Sequence, residues 1–134
     1  MKSVTAKEEP KQRPDFFNET EETIKFTLNF MNGATLEGST SFNQSSNNFR
    51  AEGNKGWFEI TRGAFSYNGA VGQTSHGPLN FGWLNQQAAQ MDDFADCVLN
   101  NRPTPVPGEM GRRHIEIITG IYEAARTGKT VSIK

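Results

Sequence analysis

The sequence is poor in the residues that staple, coordinate or anchor a chain. It holds one cysteine, Cys97, in 134 residues, so it has no internal disulfide. Its only histidines are His76 and His114. With a single cysteine they give no spacing of the kind that holds a structural or catalytic metal. No apolar run is long enough to cross a bilayer, and Met1 is followed by polar residues rather than by a signal-peptide core. Lys and Arg number 14 against 15 Asp and Glu, a formal net charge of −1 with the signs interspersed. A nucleic-acid partner is therefore not expected, because the basic stripe it would need is missing. The glycines form no G-x-G-x-x-G motif after a strand, so the fingerprint of a dinucleotide site is absent too.

What is present points to one folded domain. The length suits a single core, and a chain of this size buries roughly two thirds of its unfolded surface. The apolar fraction is modest at 34%, but 10 phenylalanines carry much of it, and each contributes a large buried area. Residues 1 to 20 are polar and contain Pro10 and Pro14. They read as a connector with a short strand at "SVTA", followed by a domain over residues 21 to 134.

From Thr23 the sequence alternates. Ile24, Phe26, Leu28 and Phe30 fall on one face, with Thr23, Lys25, Thr27 and Asn29 on the other. That is the pattern of a half-buried strand. Asn32-Gly33 then predicts a hairpin with a type I′ turn. The return strand over Ala34 to Asn43 has one Ser/Thr/Asn face, either solvated or paired with a copy of itself across a two-fold axis. Further strands are expected at Phe49 to Glu52, at "WFEI" and at "AFSYN". Residues 69 to 85, rich in glycine, read as a long loop that leaves Phe81, Trp83 and Leu84 in need of cover.

Helical period begins near Gln86. Met91, Phe94, Ala95, Val98 and Leu99 make an apolar face, with Asp92, Asp93 and Asp96 opposite. The prolines of "NNRPTPVPGE" form a stiff strap. A second helix follows from about Gly108 to Thr127, striped by Ile115, Ile118, Tyr122 and Ala125 and widened by Ile117 and Ile121. "TVSI" ends the chain as a short strand. The order strands, loop, helix, strap, helix, strand predicts an α+β domain: an open, mainly antiparallel sheet with helices on one face.

Gly128-Lys129-Thr130 imitates the end of a phosphate-binding loop. The motif would need glycine where Glu123 stands, and a strand where the helix ends. Gly128 is instead placed to stop a helix in the left-handed conformation, with Lys129 near its negative end. His76, in the glycine-rich segment, is either a solvated loop histidine or an acid–base group. His114 lies among charges on a helix. Ser66 and Tyr67 stand at a strand end, where tyrosine serves as a core lid or as a contact to a hydroxylated substrate. Cys97 reads as a small buried hydrophobe.

The segment "QMDDFADCVLNNRPTPVPGEMGRRHIEIITGIYEAARTGKTVSI" resembles the end of the glucose-fructose oxidoreductase family, also called Gfo/Idh/MocA. Its marks are "VLNNRP", "VPGEMG" and "IYEAARTGK". Upstream, "FMNGATLEGSTSFN" and "GNKGWFEITRGAFSYNG" are similar to that family's sheet, so the resemblance covers about residues 16 to 134. It implies the C-terminal, substrate-side domain of an NAD(P)-dependent oxidoreductase acting on a sugar or related polyol. In such enzymes a separate N-terminal Rossmann domain holds NAD or NADP, and the C-terminal sheet builds homo-oligomers.

The family's Glu-Lys-Pro lysine and its Asp and His partners have no counterparts here; "EEPK" at residues 8 to 11 is a different motif. The resemblance thus implies no catalytic, cofactor-binding or metal residues in this chain, and no activity of the chain alone. Its partners would be the parent's Rossmann domain and copies of itself, with no nucleic acid and no membrane. Tyr67 matches a family position near the sugar pocket. His76 is added as a substrate contact from its loop. Some family members are cytoplasmic and some periplasmic, and an export signal would lie upstream. Two other classes stand beside this reading: a stand-alone sheet module for binding or dimerisation, and a small self-contained enzyme using His76 and Tyr67.

Overall fold

The computed structural model describes every residue except Asn68, Asn80, Trp83 and Lys134. Its strands and helices are, in chain order, β1 Ser3–Glu8, β2 Thr23–Asn29, β3 Thr35–Ser41, β4 Phe49–Gly53, β5 Gly56–Arg62, β6 Val71–Thr74, β7 Gly77–Leu79, α1 Gln86–Leu99, α2 Gly108–Thr127 and β8 Val131–Ser132. The fold is α+β with antiparallel strand pairing, as the sequence predicts, divided into two four-stranded sheets. Two compact units result: Met1–Ser45 together with Val106–Lys134, and Ser46–Pro105.

In the first unit the strand order is β3-β2-β1-β8. The short "SVTA" strand is an inner strand, paired on both sides. Val4 lies opposite Leu28 of β2 and opposite Val131 of β8. Alternation sends Val4, Ile24 and Leu28 to one face, where Ile121 and Ala124 of α2 complete a buried cluster. Val4 and Ala124 are wholly inaccessible.

The helix meets the sheet on a different stripe from the one expected. Gly120, Ile121 and Ala124 are its buried residues, with Ile117 and Ala125 packed beside them. Ile115, Ile118 and Tyr122 stay exposed. The reason is close approach. A Cβ placed on Gly120 would lie 3.2 Å from Val4 Cγ1 and 2.5 Å from Ile133 Cδ1, so glycine lets the helix backbone settle onto β1. Hydrophobic period alone does not choose between two adjacent apolar stripes; side-chain size does.

The β2–β3 hairpin forms where Asn-Gly predicts it, but with a different turn. Gly33 N–H donates to Phe30 O at 3.1 Å, and Phe30 N–H donates to Ala34 O at 2.9 Å. Gly33 has φ +88°, whereas Asn32 keeps a negative φ. This is a three-residue loop, a type I turn closed by a left-handed glycine. Asn32 contributes through its side chain, whose Oδ1 accepts from Ala34 N–H at 3.1 Å.

Between β1 and β2 the chain makes a loop fastened by Glu22, a carboxylate only 1% exposed. It accepts from Gln12 N–H at 2.5 Å, Arg13 N–H at 3.0 Å, Arg13 Nε at 3.4 Å and Asn43 Nδ2 at 3.2 Å. Burial by itself would push this carboxyl up. The donors, led by the two backbone amides, outweigh it and hold it below the ordinary 4.5.

The second unit has strand order β4-β5-β6-β7. Much of the stretch expected as a loop is a hairpin, β6 turning through Ser75 and His76 into β7. Its glycines hide the strand pattern for a packing reason: a Cβ on Gly72 would lie 2.2 Å from Glu59 O across the ladder. "AFSYN", by contrast, is no strand. Ala64 and Phe65 turn the chain, held by Asn47, whose Oδ1 accepts from Phe65 N–H at 2.6 Å.

Helix α1 starts at Asn85, whose Oδ1 accepts from Ala88 N–H at 3.1 Å. At its far end the two carboxylates of Asp93 and Asp96 grip Arg102. Cys97 is buried. The apolar face predicted for this helix is at the surface: Met91, Phe94, Val98 and Leu99 are 60–83% exposed. Phe81 and Leu84 are exposed as well, and Trp83 lies outside the described residues.

Two outcomes follow. Gly120→Val should cost about 1–3 kcal/mol by overpacking against Val4, read as a lower thermal midpoint. For Glu22, the folded-state pKa lies below the ordinary 4.5. Its contribution is thus complete above about pH 4.5 and is lost as pH falls through the folded value. Glu22→Gln should therefore lower stability at neutral pH and flatten the acid limb of a denaturation-against-pH profile. An acid limb identical to that of the unsubstituted chain would contradict this.

Candidate functional site

The two residues singled out as substrate contacts both belong to the second unit. Tyr67 sits on the bend between β5 and β6 and is 73% exposed. Its neighbour Phe65 is also exposed, so the tyrosine is not a core lid. The bend is set by Gly63, at φ +80°, whose carbonyl accepts from Ser66 N–H at 3.3 Å. A Cβ there would lie 2.2 Å from Gly69 O.

His76 occupies the β6–β7 turn. Its N–H donates to Thr74 Oγ1 at 2.9 Å. The ring Nε2 lies 3.3 Å from the Lys55 carbonyl. A carbonyl only accepts, so Nε2 carries the proton in this contact, and Nδ1 is the acceptor of the neutral ring. The turn borders a hollow of about 450 Å³ lined by Trp57, Phe58, Thr74, Ser75 and His76 among others. Glu52 reaches the same hollow but is engaged by Arg50, whose guanidinium lies 4.5 Å from the Trp57 ring centre.

The register separates these two residues. Arg62 pairs with Val71 at the Tyr67 end of the β5–β6 ladder, and Phe58 pairs with Thr74 at the His76 end. Four strand residues lie between, roughly 10 Å at about 3.3 Å per residue. Tyr67 and His76 stand at opposite ends of one sheet and do not converge on one substrate atom. Their placement offers no nucleophile paired with a base. Among the described residues no three His, Cys, Asp or Glu are grouped to hold a metal.

Gly128 closes α2 at φ +65°, its N–H donating to Ala124 O at 2.8 Å. It is a helix stop and not a phosphate cradle. His114 lies exposed on α2.

Sequence reasoning passed over a cleft in the first unit. About 480 Å³ in volume, it lies between the 12–22 loop and α2. Tyr122 Oη donates to Glu21 Oε1 at 2.6 Å, joining the loop to the helix. Partial burial pushes the Glu21 carboxyl up, but the hydroxyls of Tyr122 and Thr20 and the charge of Lys11 outweigh it and hold it low. The same hydrogen bond, with burial adding to it, raises the Tyr122 phenol. The one signal in the sequence was Tyr122 among aliphatic residues of the helix stripe, a polar tip that needs a partner.

Comparison with known proteins gives the setting. A crystal structure of aldose-aldose oxidoreductase from Caulobacter crescentus, complexed with glycerol, matches with a TM-score of 0.88 and 34% identity. The match covers 98% of this chain and 41% of that one. The chain thus spans less than half the length of the protein it resembles. Residues 1–133 match the oxidoreductase family C-terminal alpha/beta domain. With the antiparallel sheets and two helices already described, the chain belongs to the Gfo/Idh/MocA oxidoreductase family, as its C-terminal domain.

Proposed function

We propose that this chain is the substrate-side and oligomerisation domain of an NAD(P)-dependent oxidoreductase acting on a sugar or related polyol. The observation that carries the reading is the match along residues 1–133 to the family's C-terminal domain, together with the likeness to an aldose-aldose oxidoreductase. The nicotinamide would be held by a Rossmann domain elsewhere in the parent, since no glycine fingerprint occurs in this sequence. Hydride would pass between a carbohydrate carbon and that nicotinamide. Exposed Tyr67, at the mouth of the β5–β6 bend, would contact the sugar with its hydroxyl. His76 would contribute, if at all, from the other end of the sheet. That separation also counts against a self-contained enzyme built on the two.

The oligomerisation surface would be the polar face of the first sheet. Opposite the α2-covered side, β1 to β3 align Thr5 with Thr27 and Thr27 with Glu37, and Lys25 with Ser39. Alternating hydroxyls and charges of both signs suit a self-complementary two-fold contact.

Fluorescence titration of the chain with NADH and NADPH should show no saturable binding; micromolar binding would overturn the assignment of the cofactor site to another domain. In the parent enzyme Tyr67→Phe should raise KM for the sugar about 10-fold, the loss of roughly 1.4 kcal/mol of binding. Sedimentation should find a dimer that Ser39→Arg dissociates. A chain that stays monomeric at high concentration would remove the oligomer role.

A further inference from the structure

The cleft between the 12–22 loop and α2 is a built cavity with a defined chemistry. Its loop is closed at the neck by the buried Glu22 carboxylate on the Gln12 and Arg13 amides. That is the anatomy of a compact surface loop whose ends are held together. On one side the loop presents Asn18, Thr20 and Glu21; on the other α2 presents Thr119, Tyr122 and Glu123. The volume, about 480 Å³, falls among those of small-molecule sites, roughly 300–1,000 Å³.

The lining discriminates among ligand classes. Glu8, Glu19, Glu21 and Glu123 face only Lys11 and Arg126, so an anion meets a surplus of like charge. A metal ion finds no set of three grouped ligands among the described residues, and Glu8 is already paired with Lys11 at 3.2 Å. The apolar part is small, limited to Ile24, Ala125 and the Tyr122 ring, too little for a hydrophobic ligand. A neutral molecule with many hydroxyls satisfies what remains. Glu21 is its natural centre: Oε1 accepts from Tyr122 Oη at 2.6 Å and Oε2 accepts from Thr20 Oγ1 at 2.9 Å. Each carboxylate oxygen keeps a second lone pair for an incoming hydroxyl. The pair of oxygens matches two adjacent hydroxyls, and the two existing bonds fix its orientation before binding. The half-exposed Tyr122 ring offers a flat apolar surface to the C–H side of such a ligand.

We propose that this cleft binds a neutral polyhydroxylated molecule, with Glu21 as the hydroxyl acceptor and Tyr122 as its orienting partner and stacking surface. The site lies in the first unit and does not depend on Tyr67 or on the oxidoreductase reading.

The test is saturation-transfer NMR and calorimetry on the 134-residue chain, with D-glucose and sorbitol as probes and spermidine as the cationic control. Both polyols should bind at about millimolar affinity. Glu21→Gln and Tyr122→Ala should each weaken binding about 10-fold or more, while Met31→Ser, remote in the hairpin turn, should not. Far-UV circular dichroism and thermal midpoints establish that the variants fold. If Glu21→Gln does not fold, Glu123→Gln takes its place and should weaken binding in the same direction. Absence of polyol binding, or binding of spermidine alone, overturns the proposal. So does binding that survives Glu21→Gln but is lost in Tyr67→Phe, which would assign the ligand to the bend in the second unit instead.

Discussion

The first unit depends on one close contact, the seating of α2 on β1 through small residues. Gly120 and Ala124 bring the helix backbone against a fully buried Val4, and Ile121 fills the space beside them. Everything nearby takes its position from this contact. β2 and β8 flank the strand that the helix covers. The stripe turned outward, including Tyr122, is the complement of the stripe turned in. Had the helix rested on Ile115, Ile118 and Tyr122, the phenol would be in the core and Glu21 would have no partner.

Legibility in the sequence followed the strength of the period. The alternation from Thr23 gave β2 and its buried face, and the helical spacing gave both helices close to their observed bounds. The resemblance carried by the last third of the chain reached the family. Errors came where local chemistry and tertiary packing disagree. Glycines of the 69–85 stretch read as loop because Gly72 has no side chain to show an alternation, though it is glycine so that two strands can approach. Asn32-Gly33 announced a hairpin but not its turn, because the asparagine acts through its side chain rather than its backbone. The α2 stripe was misassigned by period and decided by size.

The candidate site was less legible than the fold. Tyr67 and His76 are close in sequence, and only the β5–β6 register places them at opposite ends of a sheet. Glu21 and Glu22 look like one solvated acidic pair. In the structure they part: Glu22 turns inward to hold backbone amides, and Glu21 turns to the helix and Tyr122. Nothing in a run of two glutamates distinguishes an internal clamp from a recognition group. The distinction arises from alternation at the start of β2, which sends neighbouring side chains to opposite sides.

The pairing of β1 with β8 has a consequence for the order of assembly. Val4 is among the first residues to leave a ribosome, and its partners Val131 and Ile121 are among the last. The first unit is interrupted in sequence by the whole of the second. Its inner strand must wait, one edge open, while Ser46–Pro105 is made. Such long-range closure is slow, and the waiting strand is short and rich in charge, "SVTAKE". Lys7 and Glu8 there discourage a stray neighbour from adding to the open edge before the helix and final strand arrive.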